Sequence, residues 1–175
     1  MSSPVRRRRG LAALALVAVV APVLAACSAA VPLTPAEGAN DPACAQVSVH
    51  LPDVVGEDER RETDAQATGA WGSPTSVLLR CGVEPPAASD DPCYPVAGVD
   101  WISSVDPDDP DTGILRTFGR VPGLEVVVDL TRVSGGTVAQ DLSTAAGYLP
   151  QDGKRCLDAG DVPLEGSDDA PEPTS

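Results

Sequence analysis

Ile114-Leu115-Arg116-Thr117-Phe118-Gly119-Arg120, then Val121-Pro122-Gly123, then Leu124-Glu125-Val126-Val127-Val128-Asp129-Leu130 is the stretch that decides the fold. Two runs rich in β-formers flank a Pro-Gly turn, which predicts a hairpin. In the second run Leu124, Val126, Val128 and Leu130 share one face, and Glu125 and Asp129 take the other. A sheet covered on one side and wet on the other produces that alternation. Upstream, residues 76–83 place Val77, Leu79, Cys81 and Val83 on one face with Arg80 opposite. Residues 98–105 align Val99, Trp101 and Val105 in the same manner. Downstream, Thr137 and Gln140 form a capping-box pattern ahead of a helical stripe of Val138, Leu142, Ala145 and Leu149. Gly147 and Pro150 end it.

Farther upstream, Asp41-Pro42 has the form of an N-cap followed by proline at the first helical position. Ala43, Val47 and Leu51 then share a helical face, although alternation of Val47, Val49 and Leu51 suits a strand equally well. Residues 53–74 are charged and contain glycine, and they are expected to be irregular. The predicted order is helix, about four antiparallel strands, helix. That is a single small α+β domain over residues 41–164, with helices on one face of the sheet.

The ends of the chain carry a different message. Arginines at 6–9 precede sixteen uncharged residues, 11–26, and then Leu24-Ala25-Ala26-Cys27. Basic n-region, apolar h-region and small-residue cleavage site are the parts of a secretory signal. The cysteine after Leu-Ala-Ala resembles the lipobox of bacterial lipoproteins. As a helix, sixteen residues span roughly 24 Å, short of a hydrocarbon core of about 30 Å. Residues 1–26 therefore read as a lipoprotein signal peptide with Cys27 as the lipid-attachment site. Two acyl chains there would hold the protein on the extracytoplasmic face of the cell membrane. Arg8-Arg9-Gly10-Leu11 loosely resembles a twin-arginine signal, which leaves the export route open. Residues 27–40 are expected to be a flexible spacer and residues 165–175 a disordered acidic tail.

Composition narrows the partners. The chain has 12 basic and 26 acidic residues, and the four arginines at 6–9 would leave with the signal. The mature balance of 8 against 26 is −18, which repels nucleic acid. Only five aromatics occur, Trp71, Tyr94, Trp101, Phe118 and Tyr148, so the core is thin in rings. Cys44, Cys81, Cys93 and Cys156 offer a second source of stability in an oxidising compartment. Three connectivities are open. The preferred pairing is Cys81 with Cys93 and Cys44 with Cys156, worth about 3 and about 5 kcal/mol in the chain-entropy model.

Ala70-Trp71-Gly72-Ser73-Pro74 and Leu78-Leu79-Arg80-Cys81-Gly82-Val83-Glu84-Pro85-Pro86 form a distinctive pair of motifs. Arg60-Arg61-Glu62-Thr63 precedes them, and Val99-Asp100-Trp101 and Phe118-Gly119-Arg120 follow. Over about residues 41–148 the chain resembles the domain-of-unknown-function family numbered thirty-five fifteen. The resemblance implies an actinobacterial membrane-associated or lipid-anchored protein and brings no activity with it. One Lys against eleven Arg fits high-GC coding.

Within the motifs, Arg61, Arg80 and Arg120 could act as anion-binding forks beside Trp71 and Trp101. The competing reading makes the tryptophans core anchors and the arginines partners of the many acids. Asp106, Asp108, Asp109 and Asp111 invite a calcium site, but neither register supplies both the EF-hand glycine and its final glutamate. No metal site is expected. His50 is the single histidine, and no nucleophile elbow, zinc motif, phosphate loop or dinucleotide fingerprint occurs. No cofactor and no catalytic residue is assigned. The expected function is a non-catalytic envelope lipoprotein that binds a protein or another envelope component. The alternatives are a small-ligand or anion-binding module and a carboxylate-based envelope hydrolase.

Overall fold

The computed structural model describes residues 29–87 and 91–157. The proposed signal peptide, Cys27 and the 165–175 tail lie outside the described residues. Helix α1 (Pro42–Val49) comes first, followed by strands β1 (Val54–Val55), β2 (Asp58–Arg61), β3 (Thr68–Trp71) and β4 (Val77–Val83). Strands β5 (Cys93–Val96), β6 (Val99–Asp106), β7 (Asp109–Phe118) and β8 (Gly123–Asp129) precede helix α2 (Gly135–Ala146). The strands form one antiparallel sheet in the order β1-β2-β3-β4-β8-β7-β6-β5.

Eight strands, not four, make the fold β-rich, and this corrects the expected α+β domain of four strands between helices. The additional strands are silent in the sequence for physical reasons. β1 is two residues long, and β2 is entirely charged. Thr68-Gly69-Ala70-Trp71 of β3 is buried throughout, so it shows no alternation. β5 contains Pro95 and lies at the sheet edge, where a missing N–H is tolerated.

The strongly patterned parts formed as their chemistry dictates. β7 and β8 pair across Val121-Pro122, with Leu115 opposite Val126 and Arg116 opposite Glu125. Asp41 caps α1 by accepting the Ala43 N–H at 2.8 Å, and Pro42 follows it. The cap of α2 lies three residues before the Thr137–Gln140 pattern, because Ser134 accepts the Thr137 N–H at 3.1 Å. Val105 keeps the register of Val99 and Trp101 on one face of β6, but at the far end of the strand it is exposed, and a register shift follows it. Val47 of α1 and Val138, Leu142, Ala145 and Ala146 of α2 are buried against one side of the sheet, over Leu79, Trp101, Leu124, Val126 and Val128.

Residues 29–40, expected as a flexible spacer, instead form a strap on the domain. Val31 bridges Thr63, Leu33 N–H donates to Asp64, and Gly38 N–H donates to Gly82 O at 2.9 Å. The last contact requires two glycines. A Cβ on Gly38 would lie 2.7 Å from Gly82 O, and one on Gly82 would meet the Gly38 backbone at 2.3 Å.

Cysteine pairing also differs from the expected one. Cys44 bonds Cys81 and Cys93 bonds Cys156. The first turn of α1 packs onto β4, where both sulfurs are fully buried. The C-terminal segment returns across the other side of the sheet, with Gln151 bridging Arg120 and Cys156 N–H donating to Asp100. That return delivers Cys156 to the edge strand. Loops of 37 and 63 residues are each worth about 4 kcal/mol in the chain-entropy model. A non-reduced digest cut at aspartate separates Cys81 from Cys93, because Asp90 and Asp91 lie between them. Fragments linked through Cys44–Cys81 and Cys93–Cys156 are expected, and a Cys81–Cys93 linkage would refute the pairing.

Candidate functional site

The residues singled out in the sequence do not converge. Trp71 and Trp101 are buried in the helix-side core. Trp71 Nε1–H donates to Pro52 O at 3.0 Å, and Trp101 Nε1–H donates to Ser143 Oγ at 3.3 Å. The Ser143 hydroxyl lies 2.9 Å from Val96 O and 2.6 Å from Ala139 O, tying α2 to β5 and β6. Arg61 donates to Gly72 O, Thr75 Oγ1 and Ala29 O, the last at 3.0 Å, and so pins both the β3–β4 turn and the strap. Arg120 is 7% exposed and donates to Leu149 O, Gly98 O and Gly147 O at 2.7, 3.1 and 3.3 Å. A guanidinium there satisfies carbonyls at the C-terminal end of α2. Burial lowers the Arg120 pKa from the ordinary arginine value, with Asp100 opposing the shift.

Arg80 belongs to the face away from the helices. Together with Arg116 it brackets Glu125, the Arg116 contact measuring 2.7 Å. Glu125 reads as a solvent-facing position, yet the two guanidiniums cover it and leave its side chain 8% exposed. Burial by itself would raise its pKa. Hydrogen bonds and charge from Arg80 and Arg116 outweigh that and hold the carboxyl below its ordinary 4.5. Each of the five candidates thus serves its own structural tie, and an anion site shared among them is not formed.

The acidic 106–111 loop is the β6–β7 turn. Asp106 accepts the Asp108 N–H, and Asp109 accepts from Asp111 N–H and the Thr112 hydroxyl, so turn closure engages the Asp106 and Asp109 carboxylates. His50 stacks on Tyr148 with ring centroids 3.7 Å apart.

A mainly apolar concavity lies elsewhere. A groove of about 540 Å³ runs between the first turns of α2 and the helix-side face of β5, β6 and β7. Its walls are Tyr94, Trp101, Leu115 and Leu130, and its α2 side is cut back to Gly135, Gly136 and Ala139. Tyr94 and Leu130 stand 54% and 39% exposed at its rim. The Gly135-Gly136 pair, which leaves the start of α2 without side chains, was the available sequence signal. Tyr94 could not be placed while β5 was unread.

Two outcomes separate structural from functional arginines. Arg120→Gln leaves up to three carbonyls without their donor and is expected to cost about 2–4 kcal/mol, at about 1–3 per buried group, read from urea midpoints. A loss under 0.5 kcal/mol, the ordinary range for surface changes, would contradict the capping role. For Glu125 the folded pKa is depressed, so its stabilisation is complete above 4.5 and is lost as pH falls through the lowered folded value. The advantage of wild type over Glu125→Gln should therefore shrink as unfolding is measured from pH 7 down to about pH 3. A pH-independent difference would refute the ion-pair assignment.

Residues 10–152 match the family described as a protein of unknown function (DUF3515). No curated protein and no solved structure matches the chain. The match begins well before α1 and takes in the whole strap, so residues 29–40 fall within the matched region as they fall within the fold. Arg80, Cys81 and Gly82, the centre of the motif that carries the resemblance, each make a long-range tie to Glu125, Cys44 and Gly38. With most of its length matched, the chain belongs to the DUF3515 family.

Proposed function

We propose that the mature protein is a lipid-anchored, non-catalytic binding module of the cell envelope, and that its helix-side groove takes an apolar segment of an envelope protein. The anchor rests on the Arg-rich start, the short apolar run and Leu24-Ala25-Ala26-Cys27. The groove is the observation that carries the binding role. It combines an aromatic and aliphatic lining with a polar handle at Ser103, and it is open to solvent. A trough of that form accepts two or three apolar side chains of a partner laid across it. The rim pair Tyr94 and Leu130 would be covered on binding, removing an exposed apolar surface from water.

In-cell photo-crosslinking from position 94 tests this, with Gly135→Trp, whose Cβ would point at Leu115 with room to spare, as the variant that fills the groove and a Cys27→Ala chain as the unanchored control. One recurrent protein partner is expected, lost at least fivefold in Gly135→Trp and in the unanchored chain. Equal capture by the groove-filled variant would overturn the groove as the binding site. Failure to capture any protein, with the fold intact, would overturn the protein-binding reading.

A further inference from the structure

The strap fixes the point at which the chain leaves the domain. Arg61 stands opposite Ala70, Ala70 opposite Leu78, and Leu78 opposite Val127, so these side chains share the sheet face away from the helices. The strap lies on that same face. Ala29 O is held by Arg61, and Pro32, Leu33 and Thr34 line a hollow with Leu78, Arg80, Glu125 and Val127. Cys27 precedes Ala29 by two residues, which span at most about 7 Å. An acylated Cys27 would therefore enter the bilayer close to this face, with no free linker to turn the domain over. The outer surface of α2 lies a helix diameter farther away, about 10 Å beyond the sheet.

The part of the face left uncovered is suited to a headgroup layer. Leu78, Ile114 and Val127 are half-buried, while Arg80 and Arg116 retain 40% and 43% side-chain exposure. Two guanidiniums against one carboxylate leave this cluster at +1, in a chain whose mature balance is −18. Each guanidinium has five N–H donors, more than Glu125 alone can use.

We infer that this sheet face lies against the bilayer, its apolar strip at headgroup level and the spare donors of Arg80 and Arg116 on anionic headgroups. The inference rests on the lipid-anchored reading. The acyl chains supply the affinity, and the short strap and the two arginines supply the orientation. The groove beside α2 then opens away from the membrane, toward the envelope.

The test uses the full chain processed in its host, recovered as the mature protein and reconstituted in phosphatidylcholine vesicles with and without phosphatidylglycerol. A photo-crosslinking residue replaces Ile114 on the sheet face in one preparation and Tyr94 in the groove in another. Lipid adducts at position 114 should exceed those at 94 at least fivefold, and omission of phosphatidylglycerol should lower them at least twofold. An acylated protein that labels equally at both positions, or more at 94, overturns the orientation while leaving the anchor intact. Labelling at 114 that ignores phosphatidylglycerol overturns the role given to Arg80 and Arg116. A mature mass without the diacylglyceryl group overturns the anchor and the orientation together.

Discussion

The Cys44–Cys81 bond lies where helix, sheet and strap meet, and much of the molecule depends on that junction. Cys81 is in β4, the strand that joins the β1–β3 side of the sheet to the β8–β5 side. Cys44 brings α1 onto that strand, and the next residue, Gly82, receives the strap through backbone contact with Gly38. One residue earlier, Arg80 reaches the other face and neutralises Glu125. Three consecutive residues thus tie three layers to the middle of the sheet. A core whose buried rings are Trp71 and Trp101 gains from covalent closure, because burying Val, Leu and Ala side chains supplies less area per residue than burying rings.

Legibility in the sequence followed the strength of local patterning. The hairpin of β7 and β8 and the faces of β4 could be read because one side of the sheet is a dry core and the other is half-exposed. Asp41-Pro42 marked the start of helix α1, while the alternation of Val47, Val49 and Leu51 left a strand equally open. β2 could not be read, because Asp58-Glu59-Arg60-Arg61 pairs by backbone at the margin of the sheet and buries no apolar side chain of its own. β3 could not, because it is covered on both sides. The cysteine pairing depends on where two chain ends run, and those paths are set by Gly38 against Gly82 and by Gly119 against Lys154, not by spacing.

The motif residues also explain why a binding site could not be read from them. Trp71, Trp101, Arg61 and Arg120 resemble recognition residues by type, yet each is bonded to a backbone carbonyl or a core hydroxyl. In a chain with few rings and many acids, large amphipathic side chains are the natural means of closing turns and helix ends. The groove, by contrast, is made by small residues, Gly135, Gly136 and Ala139, and by an edge strand with no sequence pattern. Ligand surfaces built by omission of side chains leave little trace in composition.

Glu125 shows how the two sides of the sheet came to differ. Alternation assigns it to the wet face, and it does point there, but Arg80 from β4 and Arg116 from β7 close over it. Their paired positions on either side of β8 neutralise the acid and leave that cluster at +1, while Leu78, Ile114 and Val127 keep the face partly apolar. Water-facing sheet surfaces in so acidic a protein need neither feature for solubility. The opposite side carries the helices and the groove, so the sheet separates a surface suited to anionic headgroups from a surface suited to apolar side chains. On the proposed reading of Cys27 as the anchor, a strap that runs across the first surface and ends two residues short of it would set the two directions: inward to the membrane and outward to a partner.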